Sequence, residues 1–325
     1  VRQLIPLLMI FLATQVTVAQ SNTSSIFRFL DVTPTARTAG LGGNHVGLYD
    51  ADFSLIHINP AYLSSANSGS ISASYLNFFS DANMALTSGA YNFEKAGTFA
   101  GAIRYVGYGE FNQWDENGNS LGTFNPGDIA ITGAYSIEVV ENLRAGASMD
   151  FIHASYAQFK SSAVALSGGV FYQDTASHFS AGISIRNAGA QITTFEDERE
   201  PLPLDISVGV TKKPEAFPFQ LSLTLKKLND WDLRVVGETE KPSLVDNAFR
   251  HVIFGGETNF GENVSVRIGY DHYLHEQTQT GQDFDLAGVA FGIGFNVKAI
   301  SIDISRSSYS RLGGLTRLSL KADLN

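Results

Sequence analysis

The chain has 325 residues, no cysteine, and 22 basic against 32 acidic side chains, for a net charge of −10. It therefore has no disulfide framework, thiolate metal site or thiol nucleophile, and its acidity disfavours nucleic acid or a polybasic lipid-binding role. With mean hydropathy near zero and 17% charged residues, nothing beyond the first residues reads as a membrane-spanning helix. That leaves barrel strands open, because they mix apolar residues one to one with lumen residues.

Arg2, the apolar run 4–13 and Thr17-Val18-Ala19 before Gln20 read as a secretory leader over residues 1–19, cleaved between Ala19 and Gln20. Residues 20–67 lack long period-2 runs and are rich in Ala, Gly, Thr and Asn. Their Phe27, Phe29, Leu41, Leu48, Phe53 and Ile56 are too apolar for a solvated tail. The small run Ala36-Arg37-Thr38-Ala39-Gly40-Leu41-Gly42-Gly43 can approach other backbone closely. Asn59-Pro60-Ala61 reads as an N-cap followed by proline at the first helical position. The segment is expected to fold as short helices and turns into the mouth or lumen of a barrel, as a plug.

Residues 68–325 carry the barrel. Alternating runs predict strands at 70–79, 83–93, 98–108, 128–139, 143–154, 161–172 and 178–187. Seven more follow at 204–212, 219–228, 251–260, 263–274, 286–295, 299–308 and 315–324. In the seventh, Phe179, Ala181, Ile183 and Ile185 alternate with Ser180, Gly182, Ser184 and Arg186. A soluble sandwich also alternates, but here the face opposite the apolar one carries charge as well as serine and glycine. About fourteen such strands predict an all-β, antiparallel transmembrane barrel with a hydrated or plugged lumen.

The connections alternate in length. Those at 109–127, 188–203 and 229–250 are long, 275–285 and 309–314 are moderate, and all have odd numbers in chain order. With a periplasmic N-terminus, the long loops face the outside of the cell. Phe111, Trp114, Phe124, Phe195, Trp231 and Phe249 lie on them among polar residues, as candidate anchors for a partner. Packing of these rings over the barrel mouth explains them equally well.

Motifs for chemistry are sparse. Asp271-His272-Tyr273-Leu274-His275-Glu276 sits at a predicted strand end, where residues three apart diverge, so no metal site is expected. Trp114-Asp115-Glu116-Asn117-Gly118-Asn119 lacks the distal glutamate of a calcium loop and reads as a turn. No cofactor and no catalytic residue is expected, although His153 or His251 beside a hydroxyl is conceivable. Arg104, Arg186, Asp205, Lys226, Arg267, Asp271 and Asp303 are expected to face the lumen and to pair structurally, with Arg37, Asp50 and Asp52 as plug partners.

Several blocks carry a family resemblance. They begin with Ser25-Ile26-Phe27-Arg28-Phe29-Leu30, the small run from Ala36 to Gly43, and Asn59-Pro60-Ala61. Tyr75-Leu76-Asn77-Phe78-Phe79, Gly97-Thr98-Phe99-Ala100-Gly101, Arg104-Tyr105-Val106, Glu200-Pro201-Leu202-Pro203 and Trp231-Asp232-Leu233 follow. Together they resemble the PorV/PorQ group of FadL-like barrels, outer-membrane components of the type IX secretion system of Bacteroidetes, and the later blocks resemble its PorQ branch. The resemblance implies a fourteen-stranded, plugged, FadL-like barrel without enzymatic activity. It also implies a place in the attachment complex with PorU and PorV, anchoring a PorZ-like surface protein beside outer-membrane lipid and lipopolysaccharide. Asp174-Thr175-Ala176 resembles the O-glycosylation triplet of that phylum. Transport of hydrophobic small molecules in the FadL manner is the alternative reading, and a barrel enzyme is the third.

Overall fold

Alternation requires every strand to show one face to lipid and one to the lumen, and closure lets each backbone N–H and C=O find a partner without an open edge. The computed structural model describes residues 25–324 except 95, 197, 236, 282–284 and 310–312; Ala19 and Gln20 lie outside the described residues. Its strands are β1 (Ser70–Asn77), β2 (Asn83–Phe93), β3 (Gly97–Gly107), β4 (Phe111–Trp114), β5 (Ser120–Phe124), β6 (Gly127–Val140), β7 (Leu143–Tyr156) and β8 (Phe159–Asp174). They continue as β9 (Phe179–Thr193), β10 (Asp205–Lys212), β11 (Gln220–Leu225), β12 (Val252–Phe260), β13 (Val264–Asp271), β14 (Val289–Val297), β15 (Ile300–Ser308) and β16 (Gly314–Asp323). All but β4 and β5 form one antiparallel barrel of 14 strands, closed where Ser70 of β1 pairs with Asp323 of β16.

The faces segregate as the pattern requires. On β3, Phe99, Ile103 and Tyr105 are exposed on the outside, while Ala100, Ala102 and Arg104 are buried inside. Outside rings also cluster near the short turns. Phe93 meets Phe99 edge to face at 5.6 Å, Phe99 lies tilted 4.8 Å from Tyr135, and Phe217 lies 5.4 Å from Phe219. Such a ring girdle marks a lipid–water boundary.

All the long connections share one end of the barrel: 108–126, 194–204, 226–251 and 272–288. Short turns such as 141–142 and 298–299 occupy the other end. Four connections differ from their sequence expectation, and the expected loop 188–203 begins with the last six residues of β9, up to Thr193. Residues 109–127 contain the β4–β5 hairpin, and residues 229–250 contain helix α2 (Leu244–Arg250). The strand expected over 263–274 stops at Asp271, whose carboxylate caps the N–H of Leu274, and helix α3 (His272–Thr278) begins.

The plug is a short helix α1 (Ala36–Gly40) with single 3-10 turns before and after it. Leu41, Val46, Leu48, Leu55, Ile58 and Tyr62 bury against Phe171 of β8 and form a core inside the lumen.

Candidate functional site

Glycines on the lumen face build the seat of the plug. Gly146 of β7, Gly169 of β8, Gly182 of β9, Gly209 of β10, Gly255 of β12, Gly269 of β13 and Gly292 of β14 face it in turn. A Cβ on Gly182 would lie 1.9 Å from the Val46 carbonyl oxygen, and one on Gly269 would lie 1.9 Å from the Leu41 carbonyl carbon. Plug glycines answer in kind: a Cβ on Gly47 would come within 2.2 Å of the Gly209 oxygen, and one on Gly40 within 2.9 Å of Gly292 Cα. Glycine inside a strand marks such a close backbone approach. This explains the small run at 36–43.

Polar groups lock the register. The Asn59 carboxamide accepts from Ala61 N at 3.0 Å and donates to the Val46 and Val170 carbonyls at 3.2 and 3.3 Å, tying the turn at Pro60 to β8. Asn59, Pro60 and Ala61 are all buried. The Tyr62 hydroxyl donates to the His45 carbonyl at 2.7 Å, and the His45 ring bridges Leu41 O at 2.9 Å and Thr224 Oγ1 at 3.1 Å. Burial pushes this imidazole down to about 4, against the upward pull of the Leu41 carbonyl and Asp271, so it is neutral at pH 7.

The lumen charges pair, though more within the wall than with the plug. Arg186 pairs with Asp205, and Lys226 with Asp271. Arg267 bridges Glu257 and Asp303, each at 2.5 Å. The plug joins through Arg37–Glu257 at 3.1 Å, Asp52–Lys321 at 2.8 Å and Asp31–Lys227 at 2.9 Å. Arg104 donates to the Leu30 carbonyl at 3.1 Å. Asp50 uses Gln173 as its partner, at 3.2 Å. Burial opposes the charge on Asp52, but Lys321 wins and lowers its pKa.

Two polar cavities flank the plug. One, of about 310 Å³, lies at the long-loop end between Asp31, Lys227, Asp271, Tyr273 and Arg317. The other, of about 500 Å³, lies at the short-turn end around Arg37, Asp52, Glu257, Asp303 and Lys321. Thr33, Ala39, Gly42 and Gly43 line the first, and Thr35 and Arg37 line the second. The thin stretch 33–43, with α1 at its centre, is the septum between them.

Beside the first cavity lies an apolar compartment. Leu76, Met84, Val106, Ile152 and Leu315 of the wall enclose Ile26, Phe27, Phe29 and Leu30, with Phe78, Phe79, Tyr108, Tyr156, Phe195 and Tyr309 packed at its rim.

The six loop aromatics separate. Phe111 and Trp114 are exposed on the β4–β5 hairpin, with Phe124 half-buried and stacked 5.9 Å from Phe111. Trp231 is exposed at one face and stacks on His251 at 4.8 Å, and Phe249 is exposed on α2. Phe195 turns inward, 5.3 Å from Tyr156.

His272 and His275 do not diverge: α3 brings their rings into parallel stacking at 5.9 Å. The alternating pattern continues in the sequence past Asp271, but the cap there turns the chain into helix. Gly118-Asn119-Ser120-Leu121-Gly122 matches the letters of a nucleophile elbow, against the expectation that the chain holds none. It forms the turn and start of β5, exposed, where Ser120 Oγ accepts from Gly122 N at 3.3 Å, rather than a strand-to-helix elbow. His153 Nδ1 does meet Ser162 Oγ at 2.9 Å, on the lipid face. Its cross-strand partners are Ile129 and Ser162, neither of them a carboxylate, and Asp128 is spoken for by the Tyr108 and Tyr156 hydroxyls at 2.6 and 2.7 Å.

No protein-family model and no curated protein matches the chain. Solved structures do. The chain is similar to the monoaromatic hydrocarbon channel CymD, with a TM-score of 0.55 and 12% identity over 92% of this chain and 99% of that one. It is similar to the Pseudomonas putida toluene transporter TodX at 0.52 and 12%, over 92% and 98% of the two chains. A Pseudomonas aeruginosa FadL homologue gives 0.50 and 12%, over 90% and 99%. At such identity the likeness speaks for fold alone: this chain is a plugged β-barrel of FadL-like architecture.

Proposed function

We propose that the protein is an outer-membrane channel for hydrophobic small molecules, gated by its plug, with the long loops outside the cell. The apolar compartment carries this reading. It is a lumen pocket filled by Phe27 and Phe29 of the chain itself, as a stand-in for an apolar solute. The similar solved structures include a channel named for monoaromatic hydrocarbons and a toluene transporter, which gives the solute class a first candidate. A solute entering from the loops displaces residues 26–30, and passage then requires the 33–43 septum to shift between the two wet cavities.

The test is toluene entry into vesicles carrying the purified barrel. The chain is free of cysteine, so Ala36→Cys with Ser319→Cys, placed where Ala36 N meets Ser319 Oγ at 2.8 Å, gives a single lockable pair. Uptake should exceed that of empty vesicles, stop on oxidation and return on reduction. Uptake equal to empty vesicles, from barrel shown to be folded, would sink the reading.

A second reading, anchorage of a PorZ-like protein in a type IX attachment complex, rests on the sequence resemblance and on the exposed Phe111 and Trp114 of the β4–β5 hairpin. Removal of 109–127 and of 229–250 should then leave the barrel folded and release the partner. Unchanged retention after both deletions rules this reading out.

A further inference from the structure

The lid over the long-loop mouth gathers three metal-binding side chains from two connections. Asp246 projects from the first turn of α2, while His272 and Glu276 stand four residues apart on α3 and so share one helix face. One ligand atom from each lies within 4.8 Å of the other two, and all three residues are half-buried. His272 Nε2 is already 3.0 Å from Asp246 Oδ1, and its Nδ1 is 3.0 Å from the Tyr270 hydroxyl.

The charge around them is unbalanced. Arg250 faces Glu238 at 2.6 Å, Asp246 at 2.8 Å and Glu276 at 3.6 Å. Three carboxylates crowd one guanidinium, and two of them, Asp246 and Glu276, lie beside the His272 ring. Glu238 holds Arg250 through both of its oxygens, which anchors the guanidinium to one side and leaves Asp246 Oδ1 facing His272.

We propose that Asp246, His272 and Glu276 bind a divalent transition-metal ion, zinc by choice of donors, that clasps α2 to α3. An imidazole with two carboxylates suits zinc, whereas calcium and magnesium take oxygen ligands alone. Donors on a tetrahedral zinc at ~2.0–2.1 Å stand roughly 3.3 Å apart, so rotation of the Glu276 side chain closes the set. Nε2 must present its lone pair to the metal. Its proton moves to Nδ1, and the Tyr270 hydroxyl changes from donor to acceptor, so that hydrogen bond survives and fixes the ring. His275 stands outside the group of three whose ligand atoms all lie within 4.8 Å of one another, its Nδ1 on the Ala287 carbonyl at 3.0 Å and its Nε2 4.0 Å from Glu276 Oε1, so water takes the fourth position. Tyr273, Leu274 and Gln277 of α3 line the outer cavity, so the ion stiffens the entrance of the lumen.

The experiment is zinc titration by calorimetry of the full barrel in detergent, purified without a polyhistidine tag and stripped with chelator. One zinc per chain is expected, at least tenfold weaker in His272→Ala and in Glu276→Gln, and unaltered in Ser120→Ala as a loop control. Both variants should keep the heat-modifiable gel mobility of the folded barrel. No zinc binding by the wild type overturns the proposal, as does equal binding in folded His272→Ala, or calcium binding as tightly as zinc.

Discussion

Residues 41–62 approach the barrel wall mainly through backbone, whereas residues 26–31 meet it mainly through buried side chains. The first contact is shape on shape: a ring of wall glycines admits the Leu41, Val46, Gly47 and Ala61 backbones and nothing larger. Interiors packed that closely are bistable rather than soft, so this half stays seated or leaves as a unit. The second contact is burial of Phe27, Phe29 and Leu30 in an apolar pocket, steadied by the Arg104 and Lys227 ties. Phe27 also sits at φ 57°, a left-handed conformation that costs a residue with a Cβ on the order of 1–3 kcal/mol. The difference teaches which half of the plug can move: the seat is architecture, and the N-terminal stretch is the replaceable part.

The hardest blow to the seat is Gly182→Val or Gly269→Val. Each would press a side chain into plug backbone that no rotamer can relieve, and overpacking of a rigid site costs ~3 kcal/mol or more. The expected outcome is a closed barrel with an unseated plug, seen as protease cleavage within 36–62. Seated, protected plugs in both variants would show that the glycine ring is not the seat.

Next is Glu257→Ala, which strips Arg37 and Arg267 of their shared carboxylate. Leaving buried charge uncompensated costs about 3–5 kcal/mol, at the low end here because Arg267 keeps Asp303 and Arg37 keeps the Tyr49 and Asp50 carbonyls. Septum exchange should rise, read by hydrogen exchange at 33–43, while residues 26–31 keep their protection.

Acid should then separate the halves. His45 is depressed to about 4, and His57 is also held well below 6.5 by burial and by Arg104 and Arg186. A base with a lower pKa when folded takes up protons on unseating, so its contribution is whole above pH 6.5 and fades as pH falls toward 4. For His45 that loss is ~3 kcal/mol. Asp52, with its pKa lowered from 3.8 beside Lys321, adds its loss only at lower pH still. His45→Gln should flatten the upper step in a pH series of plug protection; an unchanged step would assign it elsewhere.

How much of this was legible beforehand follows from which signals are local. Alternation is local, so the barrel strands lie within a few residues of their expected bounds, except that β9 runs six residues past its expected end, to Thr193, and loop parity follows from their spacing. The run at 36–43 announced close packing by its composition. Its partners did not announce themselves: Gly182 and Gly269 read only as small lumen residues, because the approach of Val46 and Leu41 is a tertiary fact. The Asp246–His272–Glu276 cluster was hidden twice. The period-2 pattern ran past the Asp271 cap, and Asp246 comes from a separate connection. Arg37 and Asp52 were expected as plug partners, but Glu257 and Lys321 were not.

The smallest expected effect discriminates most finely. Phe29→Ala removes a ring from a pocket whose walls, Leu76, Met84 and Ile152, are themselves fully buried and cannot collapse far. A Phe→Ala change at such a site costs about 3 kcal/mol, which here falls on the local opening of 26–31 rather than on the barrel. That is roughly a hundredfold rise in the open population. Hydrogen exchange should quicken about that much at residues 26–31 and not at all at 41–62, with the melting of the barrel unmoved. If the channel reading holds, toluene uptake rises in the same variant, because the pocket is vacated more often. Faster exchange without faster uptake would leave the two-part plug standing and remove the solute from the pocket. Parallel quickening in both halves would instead make the plug one cooperative body, and the comparison between its halves would fail.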